Sequence, residues 1–176
     1  MDTGWTQELL AWLNAHPGWG FTIVFLVALL ESLVLVGILL PGIVILFGVG
    51  TLIGLGIMEL VPIWLAATSG AFLGDFLSYL LGHRFRGHLL DIWPFSRDPA
   101  LMERGTRFFH AHGAKSVVAG RFIGPLRPII PAVAGMMGMK PGRFVAVDIP
   151  ACVTWAPSFL LPGMLFGATL EVASEY

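Results

Sequence analysis

Four ionisable side chains stand inside stretches of sequence that are otherwise apolar: Glu31, Asp75, Arg121 and Arg127. At the centre of a membrane helix each costs roughly 2.5–3.5 kcal/mol on insertion scales, so such residues are functional candidates by default. A carboxyl group at that depth can take up and release a proton, which suits Glu31 and Asp75 to proton coupling or to ion pairing. A guanidinium stays charged and presents a planar fork of donors that matches phosphate. Arg121 and Arg127 are therefore the candidates for holding an anionic headgroup. The plainer alternative is that the carboxylates pair with the arginines only to hold the structure together.

The elements that must position these groups are broken ones. Both arginines lie in GRFIGPLRPIIPAVAGMMGM, Gly120–Met139, with Pro125, Pro128 and Pro131 among them. An interior proline removes a backbone donor and clashes with the preceding turn, so this segment cannot be one straight helix. At membrane depth, broken backbone is tolerated only where it is buried in protein or lines a wet cavity. Residues 117–140 are therefore expected to form a re-entrant hairpin. Glu31 lies in a comparable region: Ser32 to Met58 carries no charge but six glycines, and Pro41-Gly42 marks a turn. Residues 19–58 are expected to be a first re-entrant hairpin, with two ordinary spans joined by a tight turn as the alternative. The expected hairpin breaks are Pro41, Gly42, Pro125, Pro128 and Pro131.

A fuller apolar span follows each broken segment. Residues 60–82 carry Ala66, Ala67, Gly70, Ala71 and Gly74, small enough for a second helix to pack close. Residues 144–170 carry Pro150, Pro157 and Pro162, which imply a kinked helix, and Asp148 stands where its uncharged run begins. The fold class expected is an all-α integral membrane protein: two re-entrant hairpins facing each other plus transmembrane helices, inverted-repeat-like, with the site where the two breaks meet. At the N-terminus, residues 1–18 place Leu9, Leu10, Trp12 and Leu13 at helical spacing before Pro17-Gly18. They read as an interfacial amphipathic helix or as a frayed end. Residues 83–116 are basic and by the positive-inside rule cytoplasmic. Within them Pro99–His112 reads as a surface helix offering Leu101, Met102, Phe108 and Phe109 to the membrane.

Composition agrees with a membrane protein. Of 176 residues, 56% are hydrophobic and 12% charged, against about 25% charged in soluble domains, and the length fits a single domain over 1–176. The first apolar stretch starts late and lacks a basic leader, so it is not read as a cleavable signal. All ten Lys and Arg lie at or after Arg84, and no basic face is interleaved with aromatics, so no nucleic-acid partner is expected. Cys152 is the single cysteine and reads as a small buried hydrophobe. His83, His88, His110 and His112 fall in the basic stretch without an HExxH or Cys/His pattern, so neither a metal nor a cofactor is expected. No nucleophile elbow, P-loop or dinucleotide fingerprint is present, and the chain is not read as an enzyme.

Several motifs together resemble the DedA family, also called the SNARE-associated or VTT-domain family, over nearly the whole length. They are Glu31 with LPG at Leu40–Gly42, GDFLSYLLGHRFRG at Gly74–Gly87, FFHAHG at Phe108–Gly113 and GRFIGPLRPIIPAVAG at Gly120–Gly135. Met139, Phe144 and Trp155 also stand where that family tends to carry them. The resemblance implies two facing re-entrant hairpins in the inner cell membrane and a flippase or scramblase for an anionic lipid, such as undecaprenyl phosphate or a phospholipid. It carries functional roles to Glu31, Arg121, Arg127 and Asp75. Its partners are membrane lipids, and it allows a homo-oligomer. Two departures stand out. Ile43 follows the turn where many members carry an acid, which leaves proton coupling open, and members commonly continue into another C-terminal helix, as expected if this chain is a short form or part of a longer protein. The competing functions are a proton- or cation-coupled carrier of a small soluble solute, suggested by the carboxylates, and a non-transporting membrane-organising protein.

Overall fold

The computed structural model describes residues 17–34, 36–37, 42–85 and 99–174. Among them are seven α-helices: α1 (Pro17–Ser32), α2 (Gly42–Gly54), α3 (Leu60–Phe85), α4 (Pro99–His112), α5 (Lys115–Arg121), α6 (Ile129–Met136) and α7 (Pro141–Ser174). A single 3-10 turn, Gly124–Leu126, lies between α5 and α6. The described residues contain no strand.

Length divides these helices into two kinds. Only α3 and α7 are long and apolar enough to cross a membrane. With a rise of about 1.5 Å per residue, the described residues of α1 cover about 24 Å and those of α2 about 20 Å, against a hydrocarbon core of about 30 Å. The helices α5 and α6 have 7 and 8 residues and are shorter still. The long helices form the centre and pack on each other, α1 and α6 lie against α3, and α2 and α5 lie against α7. Each long helix thus carries one piece of each broken segment.

Small residues make this packing close. Gly50 and Gly54 on α2 face the backbone of Leu160 and Met164 on α7, while Gly163 and Gly167 on α7 face the carbonyls of Phe47 and Thr51 on α2. A Cβ at any of the four would run into the opposite backbone, so the two helices meet main chain to main chain. Large apolar side chains turn outward instead: Phe21, Ile23 and Leu26 on α1, Val44 on α2, Leu65 and Leu73 on α3, and Leu165 and Phe166 on α7 are exposed. Small residues at the helix contacts under an apolar exterior are the arrangement a lipid environment selects.

The prolines of α7 do not end it. Pro157 leaves the carbonyl of Val153 without its helical donor, and the indole N–H of Trp64 on α3 donates to that oxygen at 3.1 Å. Where α1 ends, Ser78 of α3 performs a similar task. Its hydroxyl accepts from the Val34 N–H at 2.9 Å and lies 3.2 Å from the Ser32 carbonyl, tying the break to the long helix.

Several sequence expectations change here. Pro17-Gly18, read as the stop of an N-terminal helix, forms the first turn of α1; residues 1–16 lie outside the described residues. The span expected over 60–82 continues to Phe85, so His83 and Arg84 belong to its last turn. Residues 86–98 of the basic stretch, including His88, lie outside the described residues, and the remainder holds α4 and the start of α5. Met102 and Phe109 pack with Ile129 and Val133 of α6 rather than facing lipid, because the broken segment above them leaves an apolar surface to cover. The last helix begins at Pro141, not at 144, which puts Asp148 two turns inside it.

The glycine contacts give a paired test. Gly163→Leu forces the α2–α7 crossing apart and should cost about 1–3 kcal/mol or more, read as a lowered melting temperature in detergent. Gly48→Ala, which meets nothing within 4 Å, should be neutral or stabilise by about 0.5–1 kcal/mol.

Candidate functional site

The backbone around the arginines is shaped by its prolines. The helix α5 ends at Arg121, the chain turns through Gly124–Leu126 with Pro125 at its start, and Arg127 donates its N–H to Ile123 O at 3.1 Å. Pro128 then caps α6. Pro125 thus lies in the turn between α5 and α6, and Pro128 at its end. Pro131 does not: it is the third residue of α6, within the first turn, where a backbone N–H has no helical acceptor to lose. Of the first break, Pro41 lies outside the described residues, and Gly42 opens α2 with its Cα against the Glu31 carboxylate, where a Cβ would collide.

The structure brings Glu31, Asp75, Arg121 and Arg127 into one buried cluster. Arg127 pairs with Glu31 through Nη1 and Oε1, and its Nη2 donates to Ser32 Oγ at 3.4 Å. Arg121 pairs through Nη2 with Asp75 Oδ2 and, at 3.2 Å, with Asp148 Oδ1. The C-terminal end of α1, the middle of α3, the end of α5, the break before α6 and the first third of α7 therefore meet at one place.

Three participants were not singled out as site residues from sequence. Asp148, Cys152 and Trp155 follow one another at the i, i+4, i+7 spacing that lines one face of α7. Cys152 is buried as expected, and its thiol also lies 3.6 Å from Asp148 Oδ2. Trp155 is fully buried, and both guanidiniums lie over its ring, Arg127 Cζ at 3.9 Å and Arg121 Cζ at 5.7 Å from the centroid. Such a stack is worth about 2 kcal/mol or more when desolvated. Helical spacing from Asp148 was the signal available.

Two features set the chemistry. Three carboxylates face two guanidiniums, so the fully ionised cluster carries one surplus negative charge, and one proton would balance it. Several polar atoms are also left without partners: the donors Arg121 Nη1, Arg127 Nε and Trp155 Nε1, and the acceptors Glu31 Oε2 and Asp75 Oδ1. Buried polar groups are normally satisfied, so these unpaired donors and acceptors mark the cluster as a candidate binding site. Asp75, Asp148 and Cys152 come within 4.8 Å of one another, as metal ligands do, but the Arg121 guanidinium already occupies both carboxylates. His83, His110 and His112 are exposed and take no part.

The VTT domain profile matches residues 40–165 of the chain. The inner membrane protein YabI of Escherichia coli K12 is 41% identical over 150 residues, covering 85% of this chain and 59% of that protein. An uncharacterized membrane protein of Buchnera aphidicola is 36% identical over 164 residues, 93% of this chain and 64% of its own length. The inner membrane protein YqjA of Escherichia coli K12 is 29% identical over 168 residues, 94% of this chain and 76% of its own. The chain thus spans about three fifths of the length of the YabI and Buchnera proteins (59% and 64%). No solved structure matches it. With helices able to span a membrane and inner-membrane relatives, the chain is an inner-membrane protein.

Removing one partner of a buried ion pair costs roughly 3–5 kcal/mol because it strands a charge. Arg121→Ala should therefore destabilise strongly, since it strands Asp75 and Asp148 together. Adding Asp75→Asn and Asp148→Asn to Arg121→Ala should restore much of that loss. Denaturation of the three proteins in detergent measures both steps; a triple variant no more stable than Arg121→Ala would contradict the pairing.

Proposed function

The chain belongs to the VTT-domain (DedA) family, and from that premise we propose that it moves an anionic lipid headgroup across the inner membrane, with Arg121 and Arg127 receiving the phosphate. The observation that carries the reading is the pair of buried guanidiniums, stacked on Trp155, each with an N–H left unpaired. A phosphate supplies the acceptors these donors lack, and guanidinium forks suit its geometry.

The architecture favours the same conclusion. Exchange of α1-α2-α3 with α5-α6-α7 maps the packing onto itself: α1 on α3 becomes α5 on α7, and α2 on α7 becomes α6 on α3. Helices too short to span, joined by breaks that meet at the cluster, support reading 19–58 and 117–140 as facing re-entrant hairpins in an inverted repeat. Sites of this kind are reached alternately from the two sides of the membrane.

Charge balance suggests how transport is coupled. With all three carboxylates ionised the cluster is negative and repels an anion; one proton makes it neutral and a second makes it positive. Protonation of Asp148, Asp75 or Glu31 also releases a guanidinium to the incoming phosphate. Headgroup binding is therefore favoured as pH falls. Asp148 gives the protein an acidic group at depth although Ile43 follows the turn.

Proteoliposomes test the function. Labelled phosphatidylglycerol, whose phosphodiester charge is constant between pH 6 and 8, should equilibrate between leaflets several-fold faster at pH 6 than at pH 8, followed by chemical quenching of the outer leaflet. Asp148→Asn should flatten that dependence. Arg127→Lys, which keeps the charge but not the fork, should lose about tenfold or more. Lipid movement no faster than in empty vesicles overturns the proposal; uptake of a small solute abolished by Glu31→Gln without any lipid effect would favour the carrier reading instead.

A further inference from the structure

Among the described residues Trp155 is the largest fully buried side chain, yet its indole N–H has no hydrogen-bond partner within the protein. A buried Trp normally finds one. Trp64 in the same protein does so, donating to Val153 O at 3.1 Å. The difference is not a matter of depth in an apolar core, because the Trp155 ring is the surface over which both guanidiniums lie.

Those two contacts bring three unpaired donors around one ring: Arg121 Nη1, Arg127 Nε and Trp155 Nε1. Each arginine is held from two sides, by carboxylates at its Nη atoms and by the ring against its face. What remains free on each is an N–H that the carboxylates do not reach. A tetrahedral anion with several acceptor oxygens is the ligand that can engage donors from three side chains at once.

Building on the lipid-transport reading, we infer that Trp155 is a binding residue of the phosphate site, its ring acting as the shelf that presents Arg121 and Arg127 and its Nε1–H as a third donor to a phosphate oxygen. The shelf makes the arginines share one orientation, and the indole donor adds a hydrogen bond to a charged acceptor. The same chemistry accommodates a lipid phosphate or free phosphate.

Two variants separate the roles. Trp155→Phe keeps an aromatic face but removes the N–H; Trp155→Leu removes both. Loss of one hydrogen bond to a charged group raises the half-saturating concentration about tenfold or more. Trp155→Phe should show that rise for phosphatidylglycerol in the leaflet assay, larger than any change in maximal rate, and Trp155→Leu should lose more. A direct readout uses the full chain labelled with 5-fluorotryptophan in detergent, where the resonance absent from Trp155→Phe reports this side chain among the six tryptophans. Short-chain phosphatidylglycerol should shift that resonance, and the matching diacylglycerol should not. An equal shift with inorganic phosphate assigns the site to free phosphate as well as to lipid; no shift with phosphate assigns it to the lipid headgroup. A resonance that neither phosphate compound moves, or that diacylglycerol moves equally, overturns the inference. The two readings fail separately. Wild-type transport with an unchanged half-saturating concentration in Trp155→Phe removes only the role of Trp155. A phosphate-dependent shift in a protein that moves no lipid keeps the site and removes the transport.

Discussion

Two guanidiniums cannot be held inside an apolar helical protein unless carboxylates come to them, and much of this structure follows from that requirement. Arg121 and Arg127 are six residues apart on a broken segment, so no single helix can serve both. Glu31 reaches Arg127 from α1, while Asp75 and Asp148 reach Arg121 from the two long helices. Ion pairs buried to this degree barely repay desolvation, so they place elements relative to one another more than they add stability.

Close backbone packing makes those pairs reachable. Asp75 on α3 and Asp148 on α7 engage one guanidinium because the two long helices pack on each other, while α2 is seated on α7 through Gly50, Gly54, Gly163 and Gly167. Gly42 likewise leaves room for the Glu31 carboxylate. Glycines that look like mere helix-breakers in sequence are here the places where main chain meets main chain or meets the charged cluster. The prolines are spent differently. Pro125 and Pro128 form the break that aims Arg127, Pro131 occupies a first turn, and Pro157 frees a carbonyl that Trp64 then takes.

How much of this could be read in advance depended on what made each residue conspicuous. Glu31, Asp75, Arg121 and Arg127 stand out because a charge in an apolar run has few explanations, and the structure gathers all four. Asp148 carries the same charge but follows Lys140–Arg143, so it resembled the polar edge of a span; only the helix start at Pro141 shows it to be two turns inside. Trp155 is apolar by composition, and nothing in a linear pattern says that two arginines will lie over it. Met102 and Phe109 have the spacing of a membrane-facing stripe, and hydrophobic periodicity cannot distinguish lipid from the underside of α6. The site was legible through charge, and its aromatic floor was not.

The odd charge and the orphaned donors are best understood together. A cluster in which every acid met one base and every donor one acceptor would be a stable brace with nothing to exchange. With its three carboxylates ionised this one carries one more negative charge than positive, and Arg121 Nη1, Arg127 Nε and Trp155 Nε1 find no acceptor within the protein. A proton added to a carboxyl weakens its hold on an arginine, and the released donor is then free to take an anion as its acceptor. A phosphate entering with one proton leaves the total charge of the occupied site where it began. On the proposed reading, the carboxylates are therefore more than a brace: a singly charged headgroup that enters with one proton adds no further net charge to the apolar interior.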